Sequence, residues 1–204
     1  MELYDTEEQQ VEAIKDWWKE NGKAVIIGAI VGLGGLFGWR YYQSSVVQAS
    51  EAASQSYTVV METLQHKGIA AQKETQAFID SSKSESYSVL AALQLAKVQV
   101  DAKQLDNALK QLKWAQSHTD DDALTSLIAY RIARINIEKG DFKAANAELD
   151  KMKDKAWQGR VEELRGDLAL RQGNKEAAYE AYTQAQQSAD ASPMLQMKLD
   201  DLAK

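Results

Sequence analysis

The sequence predicts an all-α protein with three consecutive parts: a short amphipathic helix, a single transmembrane helix, and a larger domain of repeated helix pairs. Two observations predict this order. Residues 24–39 form an uncharged run of sixteen residues, AVIIGAIVGLGGLFGW, in a chain otherwise rich in charged and polar residues. After this run the composition shifts to Ala, Gln, Lys, Asp and regularly spaced Leu, and Pro193 is the only proline. We therefore divide the chain into residues 1–23, 24–42 and 43–204.

Residues 1–23 have the pattern of a cytoplasmic amphipathic helix. Thr6 with Gln9, or Asp5 with Glu8, has the spacing of a capping box. Gly22 follows at a position where glycine commonly ends a helix, which predicts a C-cap there.

Apolar side chains recur at helical intervals within this segment, at Val11, Ile14, Trp17 and Trp18. The segment carries seven acidic residues against three lysines. This charge disfavours anionic lipid and allows a basic protein partner, and simple anchoring at the membrane surface is the alternative interpretation.

The uncharged run predicts the transmembrane helix. Sixteen residues at about 1.5 Å each span about 24 Å, and extension to Tyr42 gives about 28 Å, close to the roughly 30 Å hydrocarbon core. Arg40 would then extend towards the lipid headgroups. Aromatic and basic side chains flank the run at the expected membrane interfaces. These predicted interface residues are Trp17, Trp18, Lys23, Trp39, Arg40, Tyr41 and Tyr42.

The distribution of basic residues predicts the orientation of this helix. Lys15, Lys19 and Lys23 precede the run, whereas Arg40 is the only basic residue after it until Lys67. Because lysine and arginine are retained on the cytoplasmic side, we expect a cytoplasmic N-terminus and a large external C-terminal part.

A cleaved signal peptide is the alternative to a membrane anchor. The long acidic leader opposes it, and so does the end of the apolar run, which is Trp-Arg-Tyr-Tyr instead of a small-residue cleavage site.

The glycines of the run form two GxxxG pairs, Gly28 with Gly32 and Gly34 with Gly38. Small residues at this spacing allow a second helix to approach closely, which predicts a docking face for a membrane partner. Glycine is also common in membrane helices, so an incidental pattern is the alternative.

Residues 164–185, LRGDLALRQGNKEAAYEAYTQA, carry the spacing of a tetratricopeptide repeat. Gly166, Ala178 and Ala185 supply the small residues, Gly173 the turn, and Tyr182 the aromatic position. Small residues let two antiparallel helices touch, while larger ones fill the gap to the next repeat.

Residues 126–152 and 89–115 repeat this arrangement. The anchor alanines Ala108, Ala145 and Ala178 are 37 and 33 residues apart, against a nominal spacing of about 34. Residues 43–204 are therefore predicted to form a tetratricopeptide-like α-solenoid, with an irregular leading helix pair near 44–66 and 70–81. A final helix beginning at Pro193 would cap the stack. Its apolar side would hold Met194, Leu195, Leu199 and Leu202.

This register predicts a concave groove that suits an extended peptide or a partner helix. We expect it to be apolar at its first repeat and charged towards the C-terminus. Its candidate lining residues are Leu93, Lys97, Tyr130, Arg134, Arg160, Glu163 and Asp167, although some leucines could instead belong to the core.

No catalytic constellation is present in the sequence. Cysteine is absent, and His66 and His118, interpreted as solvated loop residues, are not in a metal-binding spacing. The aspartates at 120–122 lack an EF-hand pattern and are better explained as a helix N-cap. Nucleophile-elbow, dinucleotide and P-loop motifs are missing. From residue 24 onward, 21 basic residues face 23 acidic ones, which excludes a nucleic-acid binder. We predict no enzyme, cofactor, metal or small-molecule substrate.

Four segments together resemble the YfgM family, the ancillary subunits of the bacterial SecYEG translocon. They are VEA at 11–13, ENGK at 20–23, GWRY at 38–41 and LRGDLAL at 164–170. The resemblance covers essentially the whole chain and implies a single-pass inner-membrane protein of Gram-negative bacteria with a periplasmic C-terminal domain. Lys103 departs from the repeat pattern where a turn glycine is usual, and Glu162 where a large apolar residue is usual.

The same resemblance implies association with SecYEG and with PpiD, a membrane-anchored periplasmic chaperone related to parvulin-type prolyl isomerases. The implied role is to assist proteins that emerge into the periplasm, without catalysis. The alternative function is a membrane-tethered scaffold for envelope assembly that never contacts the translocon.

Overall fold

The computed structural model describes residues 7–82 and 85–202, and these described residues contain helices and no strand. This confirms the predicted all-α class. The chain forms two compact units, Met1–Ala52 and Ala53–Lys204. The helices are α1 (Glu7–Lys67), α2 (Gln72–Ser81), α3 (Glu85–Asp101), α4 (Leu105–Gln116), α5 (Asp122–Lys139), α6 (Phe142–Leu149), α7 (Gln158–Arg171), α8 (Lys175–Gln186) and α9 (Leu195–Leu202), with 3₁₀ turns at Gly68–Ala71 and Lys155–Trp157.

The predicted helix end at Gly22 is wrong, because α1 continues through this position without a break. A glycine inside a helix costs about 1 kcal/mol relative to alanine, which neighbouring helix formers can offset. The indole of Trp18, one turn earlier, lies over the glycine, and an added Cβ would come within 3.2 Å of its Cε2 atom. Gly22 therefore accommodates a tryptophan ring. The proposed capping pairs include Asp5 and Thr6, which lie outside the described residues.

The C-terminal part of α1 belongs to the second unit, so the predicted separate helix at 44–66 is part of α1. Tyr57 packs there between rings of α2 and α3, with its centroid 6.3 Å from that of Phe78 and 5.2 Å from that of Tyr87. Met61 and Leu64 extend this contact into the core. The predicted break after Lys67 is confirmed by the 3₁₀ turn that separates α1 from α2.

Three helix pairs, α3 with α4, α5 with α6 and α7 with α8, follow as the predicted repeats. The anchor alanines Ala108, Ala145 and Ala178 are each 0% exposed. Gly166 lies against the ring of Tyr182, and a Cβ at position 166 would bring three ring carbons within 3.0 Å. The small residues of the repeat pattern thus allow the close approach of paired helices, as the sequence predicts.

Equivalent turns within the three pairs share a left-handed backbone conformation. Gly140 and Gly173 adopt φ values of 79° and 80°, and Lys103 adopts 62° at the corresponding turn. Glycine reaches this region without steric cost, whereas a residue with a Cβ does not. The sequence departure at Lys103 therefore leaves the turn geometry intact and places a strained lysine there.

The last helix caps the stack in the predicted manner but begins later than Pro193. Leu195 and Leu199 are buried against α8, and Leu202 is half-buried. Met194 precedes the helix and is exposed, so its expected place on the apolar side is wrong. Before α9, the carboxylate of Asp190 accepts hydrogen bonds from the backbone N–H groups of Gly159 and Arg160 in the first turn of α7.

Candidate functional site

In the first unit, α1 contains an exposed apolar segment. Among the described residues, it is the one helix long and apolar enough to cross a membrane, with a mean hydropathy of 1.6 over its most apolar window. Only 6% of that window is buried. Ile30, Val31 and Phe37 are each about two-thirds exposed, which would be costly in water and suits a lipid surface. The segment therefore fits a membrane-anchored protein.

Aromatic pairs lie near both ends of this segment. The Trp17 and Trp18 ring centroids are 6.5 Å apart, and those of Trp39 and Tyr42 are 6.3 Å apart. Lys23, Arg40 and Tyr41 are also exposed.

The four glycines Gly28, Gly32, Gly34 and Gly38 all border open space. A Cβ added at any of them would meet no described atom within 4 Å. Each pair presents one face of the helix, but positions 28 and 34 differ by about 240° at 3.6 residues per turn. The two pairs therefore point in different directions.

In the second unit, helices α3, α4, α5 and α7 surround a groove of about 820 Å³, which we call the concave groove. Four of the candidate residues line it: Leu93, Lys97, Arg134 and Asp167. The expected separation into an apolar end and a charged end is wrong. The first repeat contributes the charges of Lys97 and Asp101, and α7 contributes Leu164 and Leu170. Apolar and charged groups alternate because each helix presents both along its groove-facing stripe.

Tyr130, Arg160 and Glu163 do not line the concave groove. Tyr130 packs on Trp157 with ring centroids 5.6 Å apart, and the guanidinium of Arg160 lies 5.1 Å from the Trp157 ring centroid. Burial raises the pKa of the Tyr130 hydroxyl. Tyr130, Trp157 and Arg160 thus form an aromatic cluster held by internal contacts, while Glu163 forms an ion pair with Lys198.

Lys198 of α9 joins the acidic side chains of α7. Its Nζ lies 2.8 Å from Glu163 Oε1 and 2.6 Å from Asp167 Oδ1. The hydroxyl of Tyr182 donates a 2.7 Å hydrogen bond to the same Asp167 oxygen. Burial and this hydrogen bond raise the pKa of Tyr182. Burial alone would lower the pKa of Lys198, but the two carboxylates outweigh it and raise that pKa. The cap therefore offsets half of the negative charge that these two carboxylates bring to the acidic end of the predicted site.

The remaining groove charges are unevenly paired. Glu138 forms an ion pair with Arg171. The basic residues Lys97, Lys103, Arg131 and Arg134 also line the groove, and none has an ion-pair partner among the described residues.

Sequence reasoning missed Arg131 and Lys103 as lining residues. The spacing of charged residues could have identified Arg131 as a lining residue. Arg131, Arg134 and Glu138 recur at i, i+3 and i+7, which places them on one face of α5. Lys103 lies in a turn, where helical periodicity does not predict which way a side chain points.

The described residues contain no group of three or more His, Asp or Glu side chains that could hold a metal ion. Asp121 caps α5 as predicted, accepting a 2.9 Å hydrogen bond from the Leu124 backbone N–H. His118 differs from the expected solvated residue. It is half-buried and stacks on Trp114 with centroids 4.1 Å apart, because the turn after α4 folds it back over the ring.

Comparison with known proteins places these features in a family. A tetratricopeptide repeat-like domain family matches residues 15–204. An ancillary SecYEG translocon subunit of Escherichia coli (strain K12) is 37% identical over all of both chains. The chain belongs to the YfgM family of ancillary SecYEG translocon subunits. The family member from Aggregatibacter actinomycetemcomitans is 36% identical over 96% of this chain and 97% of its own, and that from Haemophilus influenzae is 33% identical over the same shares. No solved structure matches this YfgM-family chain significantly.

Proposed function

We propose that this YfgM-family protein is a non-catalytic inner-membrane adaptor that associates with the SecYEG translocon. The observation that carries the proposal is the near full-length similarity to proteins named ancillary SecYEG translocon subunits, which includes the apolar segment as well as the repeats. The exposed apolar part of α1 supports a membrane anchor in this proposal.

In this proposal α1 crosses the inner membrane once, with its N-terminus in the cytoplasm and the repeats in the periplasm. The three lysines before the apolar segment support this orientation. The tetratricopeptide-like domain would then engage a PpiD-like periplasmic chaperone and assist proteins that emerge from the channel. The concave groove supports this role, since solenoids of helix pairs bind proteins on their concave surfaces.

Crosslinking in intact membranes tests the association. A photo-crosslinking residue replaces Val31, next to the Gly28–Gly32 face, and we expect it to capture channel subunits. A second position, Lys110 on the exposed side of α4, asks which periplasmic proteins lie near the repeats. If neither position captures a channel subunit and envelope-assembly proteins are recovered, the scaffold function is supported instead.

The glycine face is tested by paired substitutions. We expect Gly28→Leu with Gly32→Leu to reduce channel capture, because the larger side chains hold a partner helix away. Ile26→Leu with Ile30→Leu is the matched control, since it places leucines at the same spacing on the opposite face. Equal capture of channel subunits by the two variants would show that the face formed by Gly28 and Gly32 does not contact the channel.

Topology is tested with single cysteines, because the chain has none of its own. A membrane-impermeant thiol reagent added from the periplasmic side is expected to label Lys110→Cys and not Gln10→Cys. Both positions are exposed, so burial would not explain a missing signal. Labelling of Gln10→Cys alone would reverse the orientation.

A further inference from the structure

The concave groove has a positive character that contrasts with the rest of the molecule. The whole chain has a formal net charge of −6. Within the groove, Glu138 forms an ion pair with Arg171, and Asp167 forms one with Lys198, which also contacts Glu163. The lining charges without an ion-pair partner among the described residues are then four basic ones and Asp101. A cleft of one sign with apolar walls concentrates ligands of the opposite charge.

Arg131 and Arg134 are the centre of this charge. They lie one turn apart on α5, and Arg131 is half-buried in the groove wall. Burial, and to a lesser extent the charge of Arg134, lower the pKa of Arg131. Two neighbouring guanidinium groups with no carboxylate partner repel each other, and a bound carboxylate would relieve that repulsion and accept hydrogen bonds from both.

Apolar side chains surround these cations. Val100 of α3 is half-buried and Leu170 of α7 is exposed, whereas Leu93, Ile135 and Leu164 are buried core side chains that form the wall behind them. The groove therefore offers apolar contacts and carboxylate ligation along the same surface. Its volume of about 820 Å³ is in the range of peptide- and ligand-sized sites, and it extends across successive helix pairs.

We propose that the concave groove binds an extended protein segment in which acidic and apolar residues alternate, with carboxylates on Arg131 and Arg134 and apolar side chains between them. An extended segment fits because successive side chains point to opposite sides and can satisfy both kinds of lining group. This inference deepens the proposed adaptor function by naming the class of partner segment, and it rests on that function only for its biological setting.

Fluorescence anisotropy with the full chain in detergent tests the inference. The probe is a fluorescein-labelled dodecapeptide in which Glu and Leu alternate. We expect it to bind more tightly than the matched Gln/Leu peptide by about tenfold or more, a difference of about 1.4 kcal/mol, and more tightly still than a Lys/Leu peptide. Affinity for the Glu/Leu peptide is expected to fall as salt rises. Equal affinity for all three peptides would overturn the proposal, since apolar contact alone would explain it.

Paired variants locate the site. Arg131→Gln with Arg134→Gln removes two groove charges, and we expect the preference for the Glu/Leu peptide to fall by about tenfold or more. Lys110→Gln with Lys143→Gln removes the same charge from exposed positions outside the groove and is expected to retain that preference. Arg131→Lys with Arg134→Lys, which keeps the charge, should retain part of it. Circular dichroism establishes that each variant is folded.

An unchanged preference in the groove variant, or an equal loss in the control, would overturn the assignment. The peptide-binding measurements are made with purified protein and without the translocon. The proposed function fails if membranes yield no channel crosslink, whereas the groove assignment fails if purified protein does not distinguish the peptides, so the two failures are separate.

Discussion

Close contact between α7 and α8 makes Gly166 the most sensitive test of the repeat packing. Replacement by alanine would place a Cβ within 3.0 Å of three ring carbons of Tyr182. The ring cannot easily move aside, because Tyr182 is only 1% exposed and its hydroxyl is hydrogen-bonded to Asp167. Overpacking of a buried site costs about 1–3 kcal/mol, and we take the upper end for a contact this close. Alanine recovers about 1 kcal/mol through its higher helix propensity. We therefore expect Gly166→Ala to reduce the free energy of unfolding by about 2 kcal/mol.

Urea unfolding of the full chain in detergent, followed by circular dichroism, measures this change. A loss of about 2 kcal/mol corresponds to a lower melting temperature by about 4–8 °C for a domain of this size. The Tyr182→Ala background provides the control, because the clash is absent there. In that background Gly166→Ala should be neutral or stabilising by about 1 kcal/mol. A neutral or stabilising effect of Gly166→Ala in the natural chain would refute the packing argument.

Three further predictions concern a turn, a cap and the alkaline range. Lys103→Gly should raise the free energy of unfolding, measured in urea titrations, by about 0.5–1 kcal/mol. Glycine relieves left-handed backbone strain of about 1–2 kcal/mol, which exceeds the cost of the greater conformational entropy of the unfolded chain. A loss of stability would contradict this prediction. Asp190→Ala should lower the free energy of unfolding by about 1–2 kcal/mol and increase hydrogen exchange at the start of α7. The reason is that the Asp190 carboxylate accepts hydrogen bonds from the backbone N–H groups of Gly159, at 2.8 Å, and Arg160, at 3.2 Å. Unchanged hydrogen exchange would exclude a capping role. The pKa of Tyr182 is higher in the folded protein than in the unfolded chain, so the unfolded chain loses this proton first and stability falls as pH rises above about 10. Tyr182→Phe should therefore lose less unfolding free energy than the natural chain between about pH 9 and 11. An equal loss in both proteins would assign the effect to other groups.

The sequence predicted those parts of the fold that depend on composition and periodicity. An uncharged run of nearly the required length predicts a membrane-spanning segment, because burying a charge in hydrocarbon is costly. Likewise, Ala108, Ala145 and Ala178 indicate helix contacts because only small side chains permit that approach. The turn glycines Gly140 and Gly173 were equally predictable, since a left-handed turn favours glycine.

Sequence-based predictions of helix ends and turns failed where another side chain or the packing of two helices determined the backbone conformation. Gly22 has the sequence context of a helix end, but α1 continues and Trp18 covers the glycine. Lys103 adopts a conformation that its residue type disfavours, because the packing of α3 on α4 requires the turn. No local pattern connects Asp190 with the start of α7, since the two are joined through the folded α7–α8 pair.

For the candidate site, sequence alone determined that the protein has an apolar anchor segment, helix pairs and no recognisable catalytic motif. It also identified Leu93, Lys97, Arg134 and Asp167, because helical periodicity specifies which side chains share a face. Tertiary structure decided which of those faces remain open. Lys198 reaches from α9 to form ion pairs with both Glu163 and Asp167, while Arg131 and Arg134 have no ion-pair partner among the described residues. Charge pairing depends on distances between helices far apart in the chain, and only the packed structure fixes those distances.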